Sequence, residues 1–193
     1  MNVKELLMES IKTKEKILSN EELLNKIEKV ADLIVNAYMN DKKVLLCGNG
    51  GSAADAQHIS AELSGRFKID RKPLFAEALH VNTSFLTAVA NDYSFEKVYE
   101  RLVEAFGREG DVLIGISTSG NSENIINAVK KAKEIGMITV GFTGKTGGKL
   151  KNLVDILINV PSKDTPRIQE AHITIGHIIC ELVENNLYKL GKI

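Results

Sequence analysis

Val44-Leu45-Leu46-Cys47-Gly48-Asn49-Gly50-Gly51-Ser52-Ala53-Ala54-Asp55-Ala56-Gln57-His58-Ile59-Ser60-Ala61-Glu62 is an apolar run that ends in a glycine-rich turn and opens into a small-residue amphipathic stretch. A short apolar run bounded by turn residues reads as a buried strand, and the stretch after it repeats apolar residues at helical spacing. Strand, tight loop and helix N-terminus together hold an anion at the carboxyl edge of a sheet, because leading helix N–H groups and the helix dipole favour negative charge there. The helix also carries His58 and Glu62, four residues apart on one face and turned away from Ile59 and Leu63.

A second unit of the same kind occupies 111–135. Asp111 to Ile116 reads as a buried strand, Ser117-Thr118-Ser119-Gly120-Asn121-Ser122 as the loop after it, and Glu123 to Ile135 as a helix stopped by Gly136 in the C-cap position. The likeness of 44–64 to 111–135 predicts two halves meeting at one crevice. Further strands are predicted at Leu74 to Val81, Met137 to Phe142 and Asp155 to Val160. Helices are predicted from Asn82-Thr83-Ser84 to Ala90, from Phe95 to Phe106, and from Pro166 to about Leu190. Gly65 to Pro73 is polar, ends in proline and reads as a surface loop, and Gly144 to Gly148 is another glycine-rich loop. Apolar strands alternating with helices make an α/β fold: a central parallel sheet between two helical layers, a three-layer sandwich with right-handed crossovers.

Two helices precede the first strand. Leu6, Leu7, Ile11 and Leu18 recur at helical spacing, Ser19-Asn20-Glu21-Glu22 supplies a cap, and Leu23, Leu24, Ile27, Val30, Ala31, Ile34 and Val35 form a wide apolar stripe. This pair either covers one sheet face or packs against another subunit. The chain is thus expected to be one domain over 1–193, with an N-terminal helical pair at 1–40, an oligomerisation element, ahead of an α/β core at 41–193 and a long C-terminal helix.

Composition narrows the partners. With 193 residues the chain can bury a core without staples, and 25 Lys and Arg balance 25 Asp and Glu. A zero balance points away from nucleic acid and from membrane surfaces, neither of which is attracted without a basic patch. Met1 to Asn20 is charged throughout and no apolar run approaches membrane length, so the expected location is cytoplasmic. Cys47 and Cys180 lie in apolar surroundings and read as buried free thiols.

The chemistry is carried by the two loops and two helices. Asn49-Gly50-Gly51-Ser52 lacks the spacing of a dinucleotide fingerprint, and no Gly-Lys-Ser/Thr follows it. Taken alone it is either a plain turn with Ser52 as helix cap or an anion cradle in which Gly50 and Gly51 admit close approach and Ser52 adds its hydroxyl. Ser117, Thr118, Ser119 and Ser122 put four hydroxyls around one helix start, more than capping requires, and enough to bind a phosphate dianion without Lys or Arg. A sugar phosphate fits such loops better than a nucleotide. On the last helix, Gln169 and His177 are separated by about 80° around the axis, with His172 well away from His177. His58, Glu62, Gln169 and His177 together offer two imidazoles, a carboxylate and an amide oxygen, a set suited to a divalent metal such as zinc. Each also has a plain alternative, a surface pair for His58 and Glu62 and a satisfied core histidine for His177. His80 reads as a strand residue and His172 as a packing residue.

Together, Cys47 to Ala53 and Gly115 to Ser122 resemble the loops of the SIS (sugar isomerase) domain. With Asn91-Asp92, Gly107 to Asp111 and Arg167-Ile168-Gln169-Glu170 added, nearly the whole chain is similar to one branch, the phosphoheptose isomerases. The resemblance implies interconversion of sedoheptulose 7-phosphate and D-glycero-D-manno-heptose 7-phosphate. It also implies zinc on His58, Glu62, Gln169 and His177, and a homotetramer with sites at subunit interfaces. Substrate contacts implied by the family fall on Asn49, Gly50, Gly51, Ser52, Asn91, Asp92, Ser117, Thr118, Ser119, Ser122 and Gln169. Aldose–ketose chemistry needs one group for the carbon-bound proton and one for the oxygen-bound proton; Glu62 and His177 are the expected catalytic pair. Ligation and base catalysis by one carboxylate pull against each other, since a metal lowers its basicity. Three alternatives stand beside this reading. One is an isomerase of another sugar phosphate. The second is a non-catalytic relative that binds the replication initiator, in which the Glu and His are missing. The third is a sugar-phosphate sensor, which would need a DNA-binding extension.

Overall fold

The computed structural model describes residues 2–193; Met1, the first residue of the expected helical pair, lies outside them. Helix α1 (Val3–Leu18) starts at a capping box in which Asn2 and Glu5 exchange side-chain bonds, and α2 (Glu21–Met39) starts where Asn20 accepts from the Leu23 amide at 3.1 Å. Strand β1 (Val44–Gly48) runs into α3 (Gly51–Ser64), and after an irregular loop comes β2 (Ala76–Ala78). Helix α4 (Thr83–Asp92) is capped by Asn82, and α5 (Val98–Phe106) follows a 3₁₀ turn at Phe95–Lys97. Then come β3 (Val112–Ile116), α6 (Glu123–Ile135), β4 (Ile138–Thr143), a 3₁₀ turn at Gly148–Asn152, β5 (Ile156–Asn159) and α7 (Thr165–Lys189).

All four strand pairings are parallel, and the order is β2-β1-β3-β4-β5. Val44 pairs with Val112 and Gly48 with Ile116, so the two similar units lie side by side with their loops at one edge. The order reverses between β1 and β3, the switch point at which open α/β sheets bind ligands. Alternation along the strands divides the core. Val44, Leu46, Val112, Ile114, Val140 and Phe142 face α2, α3 and α7, while Leu45, Cys47 and Leu113 face α5 and α6. Both cysteines are buried and unbridged, and burial pushes each thiol up to about 12.

Several boundaries differ from the sequence reading. The strand expected over Leu74 to Val81 shrinks to Ala76–Ala78, so His80 sits in the turn after β2 rather than on a strand. Helix α4 continues through Asn91 and Asp92 instead of stopping at Ala90, and the helix expected from Phe95 begins as a 3₁₀ turn. Helix α2 covers the sheet with its apolar stripe. Helix α1 keeps Val3, Leu6, Leu7, Met8 and Ile11 exposed on its outer side. Among the described residues no helix is long and apolar enough to cross a membrane.

Candidate active site

The carboxyl edge of β1 delivers Asn49 and Gly50, and α3 begins at once, so its leading N–H groups face the loop. The N-cap is Gly50, with no side-chain cap. Ser52 is therefore not the cap that the sequence suggested; it stands one residue inside the helix and is buried. Beside this loop, the hydroxyls after β3 converge: Ser117 Oγ lies 2.9 Å from Ser122 Oγ and 3.5 Å from Ser119 Oγ. Ser119 Oγ also accepts from the Asn121 amide, while the Thr118 carbonyl accepts from Gly144. Thr118 and Ser119 open onto a cavity of about 270 Å³ that also meets Lys145 and Lys163.

The two loops are tied by a residue that the sequence reading passed over. Asn124, in the first turn of α6, exchanges two hydrogen bonds with Asn49: Asn49 Nδ2 donates to Asn124 Oδ1 at 2.9 Å, and Asn124 Nδ2 to Asn49 Oδ1 at 2.8 Å. Asn124 stands two positions past Ser122, and its partner lies 75 residues away, so its local sequence gives no sign of the pairing.

The polar groups of α3 meet those of α7. Glu62 Oε1 lies 3.0 Å from His58 Nε2 and 4.0 Å from His177 Nε2, and the two Nε2 atoms are 3.3 Å apart. The rings meet edge to face at 4.9 Å. Three donor atoms from two helices thus face one point, a group able to hold a metal ion. Two imidazole nitrogens and a carboxylate oxygen, with one side open to solvent, match the donor set of a catalytic divalent-metal site. One helical turn before His58, the carboxyl of Asp55 is half-buried with Oδ2 unpartnered. Burial pushes it up to about 6, against the pull of His58.

The remaining expected residues fall elsewhere. Gln169 lies over the first loop, its amide atoms 2.7 and 2.9 Å from where a Gly51 side chain would begin. His177 is two turns further along α7, about 12 Å on at the ideal helical rise. Gln169 therefore sits at the loop, level with the start of α3. Asn91 and Asp92 are exposed at the end of α4, bonded to each other at 2.9 Å. That helix packs on α5 and the 3₁₀ turn. His172 is fully buried, its Nε2 3.1 Å from the Thr143 carbonyl, and burial pushes it down to about 4.

A parallel 2-1-3-4-5 sheet with hydroxyl-rich loops at its switch point and a carboxylate–imidazole cluster beside them defines a protein that handles a phosphorylated sugar. A family model described as the SIS domain matches residues 6–144. The phosphoheptose isomerase of Clostridium acetobutylicum is 61% identical over 93% of this chain and 91% of its own length. Solved phosphoheptose isomerases superpose along most of both chains. That of Neisseria gonorrhoeae has a TM-score of 0.89 at 46% identity, covering 95% of this chain and 97% of the other. That of Francisella tularensis has a TM-score of 0.91 at 37% identity, covering 95% and 96%. The chain belongs to the SIS domain family and, within it, to the phosphoheptose isomerases.

Proposed function

We propose that this aldose–ketose isomerase interconverts sedoheptulose 7-phosphate and D-glycero-D-manno-heptose 7-phosphate, the entry to nucleotide-activated heptoses. The observation that carries the reading is the meeting of Glu62 and His177, from helices 115 residues apart in sequence, beside the loops at the switch point. The phosphate is assigned to Ser117, Thr118, Ser119 and Ser122, with the N-termini of α3 and α6 supplying N–H groups and dipole. Asn49, Gly50, Gly51, Ser52 and Gln169 are assigned to the sugar.

The carbon-bound proton is assigned to Glu62. It takes the proton from C1 of the ketose while the electron pair moves to the C2 carbonyl oxygen, which takes a proton from His177, and an enediol results. His177 then accepts the proton of the C1 hydroxyl as the aldehyde forms, and Glu62 returns the carbon-bound proton to C2. Glu62 turns Oε1 to both imidazoles, and Oε2 is the oxygen assigned to the carbon. His58, Glu62 and His177 would hold the metal, zinc in our reading, one per subunit. Gln169, placed at Gly51, is given to the substrate first. When bound, the metal supplies Lewis-acid polarisation of the carbonyl.

We further assign the protein to the cytoplasm as a homotetramer in which 1–40 mediates assembly. The support is the outer side of α1, where Val3 is 75% exposed and Leu7 61%, and an apolar groove of about 590 Å³ between α1, α2 and α7. Exposed Asn91 and Asp92 are assigned to the site of a neighbouring subunit. The test incubates zinc-loaded protein with sedoheptulose 7-phosphate and follows the aldose product. Formation of D-glycero-D-manno-heptose 7-phosphate is expected; a folded, zinc-loaded tetramer that gives none would refute the reading.

A further inference from the structure

The loop between α3 and β2 has no regular secondary structure, yet one buried carboxylate fixes it. Glu184 of α7 accepts from the successive amides of Phe67 (3.2 Å), Lys68 (2.7 Å) and Ile69 (2.9 Å), and from Nε of Arg71 (2.8 Å). Successive N–H groups wrapped on one anion form a nest, here with an anion from the chain itself. Burial alone would raise the Glu184 carboxyl, but the three amides and the guanidinium hold it below the usual carboxylate range. Arg71, with a side chain 1% exposed, turns its other nitrogens to the end of α3. Nη1 donates to the Leu63 carbonyl at 3.0 Å and Nη2 to the Glu62 carbonyl at 3.0 Å. These are carbonyls that the helix end leaves without intrahelical partners.

The pair therefore joins the two helices that carry the site. Its arginine grips the backbone of Glu62. Its glutamate lies seven residues after His177, two turns on along the same face. The segment it secures presents Phe67 to His177, with ring centroids 5.7 Å apart and planes inclined by only 21°. Among the described residues no hydrogen bond reaches His177 Nδ1, the atom through which a ligating histidine is ordinarily oriented. The ring is held on its face instead, by Phe67, and His58 meets it edge to face.

We propose that Phe67, secured by the Arg71–Glu184 pair, is a positioning residue that fixes the plane of the His177 imidazole so that Nε2 points at His58 and Glu62. The proposal rests on the reading of those three residues as one site. It goes beyond that reading in assigning to an aromatic face the work that a second hydrogen bond does elsewhere.

The test compares Phe67→Leu, which keeps an apolar side chain but removes the flat face, with Phe67→Ala and Phe67→Tyr. Two readouts are used on the full chain: steady-state kinetics on sedoheptulose 7-phosphate, and Co²⁺ affinity of metal-free protein by chelator competition. Loss of an orienting partner of a metal-site histidine costs about 10–100-fold in metal affinity or activity. Phe67→Leu is expected to lose about tenfold in kcat with KM little changed, and about tenfold in Co²⁺ affinity. Phe67→Tyr should recover both, because its ring face is the same. If Phe67→Ala fails to fold, Phe67→Leu still decides the matter. A folded Phe67→Leu protein with wild-type kcat and Co²⁺ affinity would overturn the proposal, as would a loss confined to KM or one that tyrosine does not restore. A wild type that binds Co²⁺ without turning over the sugar phosphate would refute the functional reading, and the Co²⁺ comparison would still judge Phe67.

Discussion

The reciprocal amide pair between Asn49 and Asn124 joins the two loops assigned to the substrate, and its removal has a calculable cost. Asn124→Ala deletes the bonds of 2.9 and 2.8 Å to Asn49 and the 3.0 Å bond that Asn124 Oδ1 accepts from the Ile125 amide. A neutral hydrogen bond contributes about 1 kcal/mol net, and a buried group left unpaired costs about 1–3 kcal/mol. Asn124 is 3% exposed, whereas Asn49 is half-buried and water can reach what it loses. The expected destabilisation is therefore about 2–3 kcal/mol, measured as a fall in the urea midpoint with the slope unchanged. Asn49→Ala should cost a similar amount, since it strands Asn124 in the interior. The double variant removes both members, so its loss should fall short of the sum by about 1–2 kcal/mol, the signature of neighbours acting as a unit. The same series predicts that KM for the sugar phosphate rises about tenfold in either single variant, the equivalent of about 1.4 kcal/mol of lost loop organisation. Single-variant losses that add to within about 0.3 kcal/mol, or a KM that does not move, would refute the idea that this pair organises the site.

Three other outcomes follow from the same geometry. Gly120→Ala should destabilise by about 3 kcal/mol or more in thermal or urea unfolding, because a left-handed backbone costs an L-residue about 1–2 kcal/mol. In addition, φ there is 69° and a Cβ would stand 2.1 Å from the Gly147 carbonyl oxygen; a wild-type midpoint would contradict this. Glu62→Gln should abolish turnover while titration calorimetry still detects the sugar phosphate, and persistent turnover would remove Glu62 from the carbon-proton role. His172 is kept neutral by burial and pushed down to about 4 from 6.5. The unfolded chain takes up that proton as pH falls below 6.5 and the folded one only near 4, so about 3 kcal/mol of stability is lost across that window. His172→Gln, measured against wild type by urea unfolding at pH 7 and pH 4.5, should flatten that loss; an equal slope in both proteins would show that another group carries it.

The fold was legible because its evidence is local. Apolar runs ending in glycine-rich or hydroxyl-rich turns mark strands that run into helices, and a succession of such units leaves a covered parallel sheet as the solution. The misread edges have separate causes. Leu74 to Val81 is apolar enough for a long strand, but β2 pairs only with β1 and has a free edge, so the ladder ends after Ala78. Ser52 looked like a cap by residue type, yet α3 starts a residue earlier, at Gly51, and draws the serine inside.

The site was legible only as far as one helix or one loop displays it. His58 with Glu62, and Ser117 with Ser119 and Ser122, are near neighbours in sequence whose meeting follows from helix and turn geometry. Phe67, Arg71, Asn124 and Glu184 gain their partners from elements far away in sequence, and nothing at their own positions announces it. The decisive relation is the packing of α3 on α7. Gly51 lies against Gln169, Ile59 against Gly176, and His58 against His177, with sequence separations of 118, 117 and 119. Near-constant separations mean that the two helices run parallel, so their polar groups are matched level by level. An amide over the loop and an imidazole at the metal cluster are then one geometric fact. Sliding α7 by two turns to bring Gln169 down to His58 would carry His177 past Glu62.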